Sequence, residues 1–175
     1  MQISFKKSNY AFIDSQNLNL GIRSKGWELD FKRFRIYLND KYNVKKAFLF
    51  LGFVEENIHL YQYFEKIGYT LVFKPTVRYK KDGKYTVKGN VDVELVMTVM
   101  IEINNFNKAV IISGDGDFHF LIKYLFNKNK LEALLVPNKK YSSLLREFQE
   151  SIFVLSLKRD LLEKQRMEIR GRSKP

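Results

Sequence analysis

The amino-acid sequence predicts an α/β domain with a central, mainly parallel β-sheet and helices on both of its faces. Along the chain, short apolar runs bounded by turns alternate with segments of helical period. A length of 175 residues fits one domain, and no repeat or linker divides the chain. Strands that alternate with helices pair in parallel through right-handed crossovers, and these crossovers place helices on both faces.

The first half of the chain predicts strands and helices in turn. Apolar runs typical of buried strands span residues 10–14, 47–53 and 69–73. Helical spacing spans residues 30–42 and 55–67. Asp30 is a favourable N-cap for the first of these helices, and Gly68 suits the left-handed position after the second. A polar stretch follows, in which the Asp82-Gly83 pair is typical of a hairpin turn.

The second half continues the same alternation. In chain order it predicts a helix over 91–103, a strand over 108–113, a helix over 118–127, a strand over 131–136, a helix over 142–149 and a short strand over 153–157. A charged segment that begins as a helix ends the chain. We therefore expect one domain over residues 1–158, followed by a basic C-terminal helix or tail over residues 159–175.

The charge balance favours a polyanionic partner. Lysine and arginine total 31 against 19 aspartates and glutamates, which gives a net charge of +12. An excess of this size attracts nucleic acid through long-range steering and counterion release, although a merely soluble basic protein has the same balance. The basic residues are scattered and not massed on one amphipathic helix, so a membrane surface is a poorer fit.

Missing residue types and segments exclude several classes of site. The chain has no cysteine, which excludes disulfides, thiolate zinc sites and a cysteine nucleophile. Its first residues lack an apolar core of signal-peptide length, and no apolar run approaches the roughly 20 residues that span a bilayer. We therefore expect a cytoplasmic protein with no membrane partner. The glycine-rich loop of nucleotide triphosphate hydrolases is also absent.

Four aspartates lie where a parallel sheet binds ligands, at the carboxyl ends of its strands. Asp14 closes the first predicted strand, Asp115 and Asp117 follow the strand over 108–113, and Asp92 begins the helix that leads into that strand. Each alone has an ordinary explanation as a cap, a turn former or an acid at a helix N-terminus. Carboxylates that meet at one edge raise one another's pKa and need a cation to stay ionised. Oxygen ligands favour Mg²⁺ or Mn²⁺.

Three segments of the chain resemble the motifs of a known family. They are Phe12-Ile-Asp-Ser-Gln-Asn-Leu18, Val87-Lys-Gly-Asn-Val-Asp-Val-Glu-Leu95 and Ile112-Ser-Gly-Asp-Gly-Asp-Phe118. In order and spacing they resemble the motifs of NYN domains, the LabA-like branch of the PIN-like nuclease superfamily, and the similarity runs from about residue 10 to residue 157. The resemblance implies a Rossmann-like PIN fold, a Mg²⁺- or Mn²⁺-dependent ribonuclease site and a role in RNA processing or decay.

The resemblance also implies which residues carry the site. The family's catalytic and metal-binding acids match Asp14, Asp92, Asp115 and Asp117. Asn17 matches the family's polar partner after the first strand, and Ser113 is expected to support the site beside it. Many relatives carry a further acid on the inward face of the helix that begins near Asp92, where this chain has Thr98. Threonine cannot replace that charge, so the number of metal ions that the site binds, one or two, is left open.

Two basic segments are candidates for RNA binding. The first surrounds the predicted hairpin and consists of Lys74, Arg78, Lys80, Lys81, Lys84 and Lys88. These side chains could grip phosphates beside the acidic residues, or could simply solvate a hairpin. The second follows the strand over 131–136, where Lys139, Lys140 and Ser142 could meet a phosphate at a helix N-terminus; an ordinary surface loop is an equal alternative.

These features together predict a metal-dependent endoribonuclease that acts on single-stranded or structured RNA. The alternative from another class is a non-catalytic RNA-binding or partner-recruiting module on the same fold, and a homodimer is left open. A Toprim-like metal site acting on DNA is a third interpretation, but that pattern begins with a glutamate after its first strand, where this chain has Asp14. His119 is a weaker candidate for the site. It follows Asp117 directly, but a residue in the first turn of a helix more often points sideways than toward the loop before the helix.

Overall fold

A computed structural model describes the backbone of residues 8–74, 77–81, 84–88 and 91–165, and the side chains of residues 8–74 and 91–165. The strands are β1 (Asn9–Asp14), β2 (Val44–Gly52), β3 (Thr70–Lys74), β4 (Val77–Lys81), β5 (Lys84–Lys88), β6 (Ala109–Ile112), β7 (Leu131–Val136) and β8 (Ile152–Val154). The α-helices are α1 (Ser15–Arg23), α2 (Phe31–Tyr42), α3 (Ile58–Lys66), α4 (Asp92–Glu102), α5 (His119–Asn127) and α6 (Arg159–Leu162). Short 3-10 helices span Glu55–Asn57, Gly116–Phe118, Ser143–Ser151 and Leu155–Lys158.

Six strands form one parallel sheet in the order β3-β2-β1-β6-β7-β8. The chain builds outward from β1 to β3 and then crosses back to β6 on the other side of β1. The strand order therefore reverses between β1 and β6, which is the point where open parallel sheets bind their ligands. Strands β4 and β5 form a separate antiparallel pair. The predicted α/β fold with a mainly parallel sheet is confirmed.

Side chains on the two faces of the sheet form two separate apolar cores. Ala11 and Ile13 of β1 contribute to one core, and Phe12 between them contributes to the other. The first core is covered by α1, α2, α3 and α6, and the second by α4, α5 and the 3-10 helix over Ser143–Ser151. Alternation of side chains along a strand explains this division, and burial on both faces explains why β1 is apolar between its polar ends, Asn9 and Asp14.

The helix ends follow local chemistry at two predicted positions. Asp30 caps α2, since its Oδ1 accepts hydrogen bonds from the backbone nitrogens of Lys32 at 2.9 Å and Arg33 at 3.0 Å. Gly68 follows α3 with φ of +95°, a backbone conformation that is unfavourable for residues with a Cβ.

Helix α1 is an element that the sequence did not predict, since no helix was expected between residues 14 and 30. Asp14 is its N-cap, and Leu18 and Ile22, four residues apart, are its buried residues. Gly21 allows a close approach, because a Cβ built there would lie 2.5 Å from Cβ of Pro137. Tertiary packing thus forms a helix from a segment that is otherwise mostly polar.

The C-terminal part also differs from the prediction. The helix expected over 142–149 is a 3-10 helix with non-helical backbone angles at Phe148. The strand expected over 153–157 is only β8, because its partner β7 ends at Val136 and Pro137 follows. Leu162 of α6 is buried in the first core, and residues Leu29 and Glu163 form a bridge. The division of the chain at residue 158 stays a prediction.

The edge of the sheet at the amino ends of the strands is tied together by Asn9, which is 7% exposed. Its side-chain nitrogen donates to the Tyr42 carbonyl oxygen at 2.8 Å, and its side-chain oxygen accepts from the backbone nitrogen of Lys108 at 3.0 Å. The turn from α5 into β7 lies at this same edge and contains Asn129 in a left-handed conformation. Among the described helices, none combines the length and apolar character needed to cross a membrane.

Candidate functional site

A cleft of about 370 Å³ lies at the carboxyl edge of the sheet, at the switch point between β1 and β6. Its lining residues are Asp14, Gln16, Asn17, Leu20, Val91, Asp92, Asp115 and Asp117. The cleft contains all four aspartates that the sequence singles out. They come from the end of β1, the start of α4 and the loop after β6, so the fold brings together acids up to about a hundred residues apart in the chain.

Asp14 is the buried member of the set, with 5% of its surface exposed. One carboxylate oxygen, Oδ1, accepts from the backbone nitrogen of Asn17 at 3.0 Å, and Oδ2 accepts from the Ser113 hydroxyl at 3.1 Å. Burial raises the pKa of Asp14 above its ordinary value of 3.8. The two hydrogen bonds lower that pKa, whereas the negative charges of Asp92 and Asp115 raise it further, and the net direction is upward.

Ser113 connects Asp14 to the next acid along the site. It is 1% exposed, and its hydroxyl oxygen accepts from the backbone nitrogen of Asp115 at 3.1 Å while the hydroxyl donates to Asp14. Oδ1 of Asp115 in turn accepts from the backbone nitrogen of Asp117 at 3.0 Å and caps the 3-10 helix there. The backbone of the acidic loop is therefore fixed relative to Asp14.

Asn17 holds α1 against the same loop. Its side-chain oxygen accepts from the backbone nitrogen of Gly114 at 2.9 Å. Gly116, between the two aspartates, allows the loop after β7 to approach, because a Cβ built there would lie 2.4 Å from Oγ of Ser142. Ser113 and Asn17 thus bridge the acids and the loops around them. Their role in supporting a catalytic site stays a prediction.

Asp92 is the first residue of α4, is half-buried and lines the cleft. Thr98, farther along α4, does not line it. Its hydroxyl donates to the Glu94 carbonyl oxygen at 2.7 Å, which is a bond within the helix. Thr98 therefore supplies no charge to the acidic cleft.

The donor set fits a hard divalent cation, but the residues do not form a closed cage. Among the described residues, no group of three or more His, Cys, Asp or Glu side chains converges closely enough to hold a metal ion. The four carboxylates nevertheless face one cleft, and two of them act electrostatically on Asp14. Mg²⁺ usually keeps several waters and takes only one or two protein carboxylates, so a hydrated ion fits this arrangement.

Comparison with known proteins identifies the family. The model of the NYN domain matches residues 10–156. The chain belongs to the NYN domain family. This NYN domain is 23% identical over 170 residues to the low amplitude and bright protein LabA of Synechococcus elongatus, covering 93% of this chain and 91% of that protein. The family lies in a nuclease-like superfamily.

A solved structure shares the fold of this NYN domain. A Vibrio parahaemolyticus protein of unknown function superimposes with a TM-score of 0.72 at 20% sequence identity, over 93% of this chain and 99% of that one. At this identity the likeness shows the fold alone.

The basic residues predicted to bind RNA lie partly outside the described side chains. Strands β4 and β5 pair antiparallel, as the two arms of the expected hairpin would. The side chains of Arg78, Lys80, Lys81, Lys84 and Lys88 lie outside the described part of the NYN domain, as do Asp82 and Gly83. Lys74 ends β3 and is half-buried. Whether these residues bind RNA stays a prediction.

The second basic segment follows β7 at the carboxyl edge. Lys139 and Lys140 are exposed there but do not line the acidic cleft. The backbone nitrogen of Ser142 donates to the Gly114 carbonyl oxygen at 2.9 Å, so only its side chain is left for a phosphate. The helix expected to present a phosphate site here is a 3-10 helix.

His119 lies outside the acidic cleft and pairs with Glu147. This hydrogen bond, together with the charge of Lys123, holds the pKa of Glu147 below its ordinary value. The sequence interpretation missed Gln16 and Leu20, which line the cleft from α1. Their closeness to Asp14 in the chain was a usable signal, but only a helix after β1 places both at the cleft.

Proposed function

We propose that this NYN domain is a divalent-metal-dependent endoribonuclease that hydrolyses RNA phosphodiester bonds at the acidic cleft. One observation carries the proposal: four aspartates from three separate segments line a single cleft at the switch point of a chain with a net charge of +12. A basic protein attracts the RNA backbone, and a cation among the acids offsets their repulsion of the phosphate.

The aspartates have different parts in this proposal. Asp14 is fixed by two hydrogen bonds and is the anchor ligand for Mg²⁺ or Mn²⁺, with Asp115 beside it. Asp117 is exposed and Asp92 is half-buried, so either can orient a water or accept its proton. A bound divalent ion would lower the pKa of that water and stabilise the charge that develops on the phosphate.

The basic segments are proposed to hold the rest of the RNA. Lys139 and Lys140 are exposed at the edge of the sheet where the cleft lies, and the hairpin residues Arg78, Lys80 and Lys81 precede the helix that carries Asp92. Each phosphate contact contributes to affinity through counterion release. The hydroxyl of Ser142 is available to the same backbone.

A second candidate is a non-catalytic RNA-binding module on the same fold. It is favoured by two observations: no three acids converge as ligands within the described residues, and Thr98 stands in place of a further carboxylate. Such a module would bind RNA without any dependence on a divalent ion.

A cleavage assay separates the two candidates. Purified protein is incubated with end-labelled single-stranded RNA in Mn²⁺, Mg²⁺ or EDTA, and Asp115→Asn is compared with Asp40→Asn, a matched change of an exposed aspartate on α2. We expect cleavage with a divalent ion, none in EDTA, a rate lower by orders of magnitude in Asp115→Asn and an unchanged rate in Asp40→Asn. Absence of cleavage with every ion, with RNA binding intact, would leave the binding module.

A further inference from the structure

A second pocket lies at the carboxyl edge of the sheet, on the opposite side of α1 from the acidic cleft. Its volume is about 450 Å³, within the range of small-ligand sites. Ser15, Asn19 and Arg23, spaced four residues apart on α1, face this pocket, while Gln16 and Leu20 of the same helix face the cleft. Helix α1 is therefore the wall between the two.

We propose that this pocket binds an unpaired nucleobase of the RNA strand whose phosphate enters the acidic cleft. The proposal rests on the proposed function for its choice of ligand, but it assigns a separate site. An α-helix with its side chains is about 10–12 Å across, a width that one or two nucleotides of an extended strand can pass.

The apolar part of the pocket suits a stacked base. Phe31 and Phe64 line the pocket, and their rings pack with centroids 4.8 Å apart. Tyr63 and Leu60 line the pocket and are each 44% exposed. A half-exposed tyrosine ring in the lining of an aromatic pocket offers a flat surface to a base, and every base has a face that can stack on it.

The polar part of the pocket has unused hydrogen-bonding groups. Within the described part of the chain, the side chains of Ser15, Asn19 and Asn57 make no hydrogen bonds. Amide side chains present a donor and an acceptor side by side, which matches the edge of an unpaired base. Bases in a duplex already use that edge, so the pocket should select single-stranded RNA.

The charge at the rim suits the phosphate next to such a base. Lys164 lines the pocket and is exposed. Arg23 is held by Glu28 at 3.0 Å, which leaves Lys164 as the cation better placed to contact a phosphate. Two carboxylates also line the pocket, but Glu28 pairs with Arg23 and Asp30 caps α2. This combination of aromatic faces, open amides and a cation favours a nucleotide unit of RNA over a purely apolar ligand.

The first test measures RNA affinity in EDTA, so that cleavage plays no part. Single-stranded RNA is titrated against wild type, Tyr63→Leu, Tyr63→Phe and Phe120→Leu, the last being a matched control at a ring that is 82% exposed on α5. We expect Tyr63→Leu to weaken binding about 5- to 150-fold, as loss of one stacked base does. Tyr63→Phe and Phe120→Leu should stay near wild type. Equal affinity of Tyr63→Leu and wild type, with circular dichroism unchanged, overturns the proposal.

A second measurement locates the base and separates this proposal from catalysis. RNA that contains 4-thiouridine is photocrosslinked in EDTA, and we expect crosslinks in peptides of α3 or α1 that disappear in Asn19→Ala or Tyr63→Leu. Crosslinks confined to other surfaces overturn the pocket, even if the RNA is cleaved. Crosslinks in the pocket without cleavage in any metal would support the pocket and refute the nuclease.

Discussion

Gly116→Ala is expected to destabilise the acidic loop and to lower any activity at the cleft. The new Cβ would lie 2.4 Å from Oγ and 3.0 Å from Cβ of Ser142, and 3.2 Å from Cδ1 of Leu144. One of these segments must move, and overpacking of this kind costs about 1–3 kcal/mol of the free energy of unfolding. For a chain of this size we expect a fall in Tm of about 2–12 °C. Asp115 and Asp117 flank Gly116, so the same movement displaces two acids.

The assay is thermal unfolding followed by circular dichroism, with Ser142→Gly and the double variant measured beside Gly116→Ala. Ser142→Gly removes the two nearest of the three atoms that the new Cβ meets, leaving only Cδ1 of Leu144, and it removes no side-chain cap bond. The double variant should therefore recover most of the lost Tm, with a coupling energy of about 0.5–3 kcal/mol. A Gly116→Ala protein as stable as wild type would refute the close approach of the two loops. So would a double variant whose loss of Tm equals the sum of the losses in the two single variants.

Three further predictions concern charge. In EDTA at neutral pH, Asp14→Asn should raise Tm, because burial and neighbouring acids raise the pKa of Asp14 and its ionised form therefore opposes folding. The folded protein keeps this proton above pH 3.8, so wild-type stability falls as pH rises through the window above that value, and the variant's advantage should vanish below it. An equal Tm at every pH would contradict the raised pKa. Millimolar Mn²⁺ should raise the Tm of wild type through preferential binding to the folded state, and Asp115→Asn should lose most of that rise; a wild-type Tm indifferent to Mn²⁺ would argue against the metal site. Replacing Lys139 and Lys140 together by alanine should weaken RNA binding and flatten its dependence on salt, and an unchanged salt slope would show that RNA approaches by another surface.

The sequence predicted those parts of the fold whose signals are local. Strands β1 and β7 are apolar runs with a defined end, and Asp30 caps α2 by a bond to its own first turn. Asp14 and Asp115 were placed at one edge because the carboxyl ends of parallel strands share an edge.

The sequence did not predict features that depend on distant partners. Helix α1 has only two buried residues and is stabilised by packing of Gly21 against Pro137, more than a hundred residues away. The pairing of His119 with Glu147 links residues 28 apart. The pocket beside α1 takes residues from as far apart as Ser15 and Lys164, and no spacing rule connects such positions.

The polarity of the sheet has a practical consequence for labelling. The acidic cleft and the pocket beside α1 both lie at the carboxyl edge of the sheet. The turn that contains Asn129 lies at the amino edge, about 20 Å away for a six-residue strand. Because the chain has no cysteine, a single Lys128→Cys variant at this exposed turn would accept one fluorophore and no other. A dye at that position could report the arrival of acceptor-labelled RNA by energy transfer, while every residue of the acidic cleft and of the pocket keeps its native side chain.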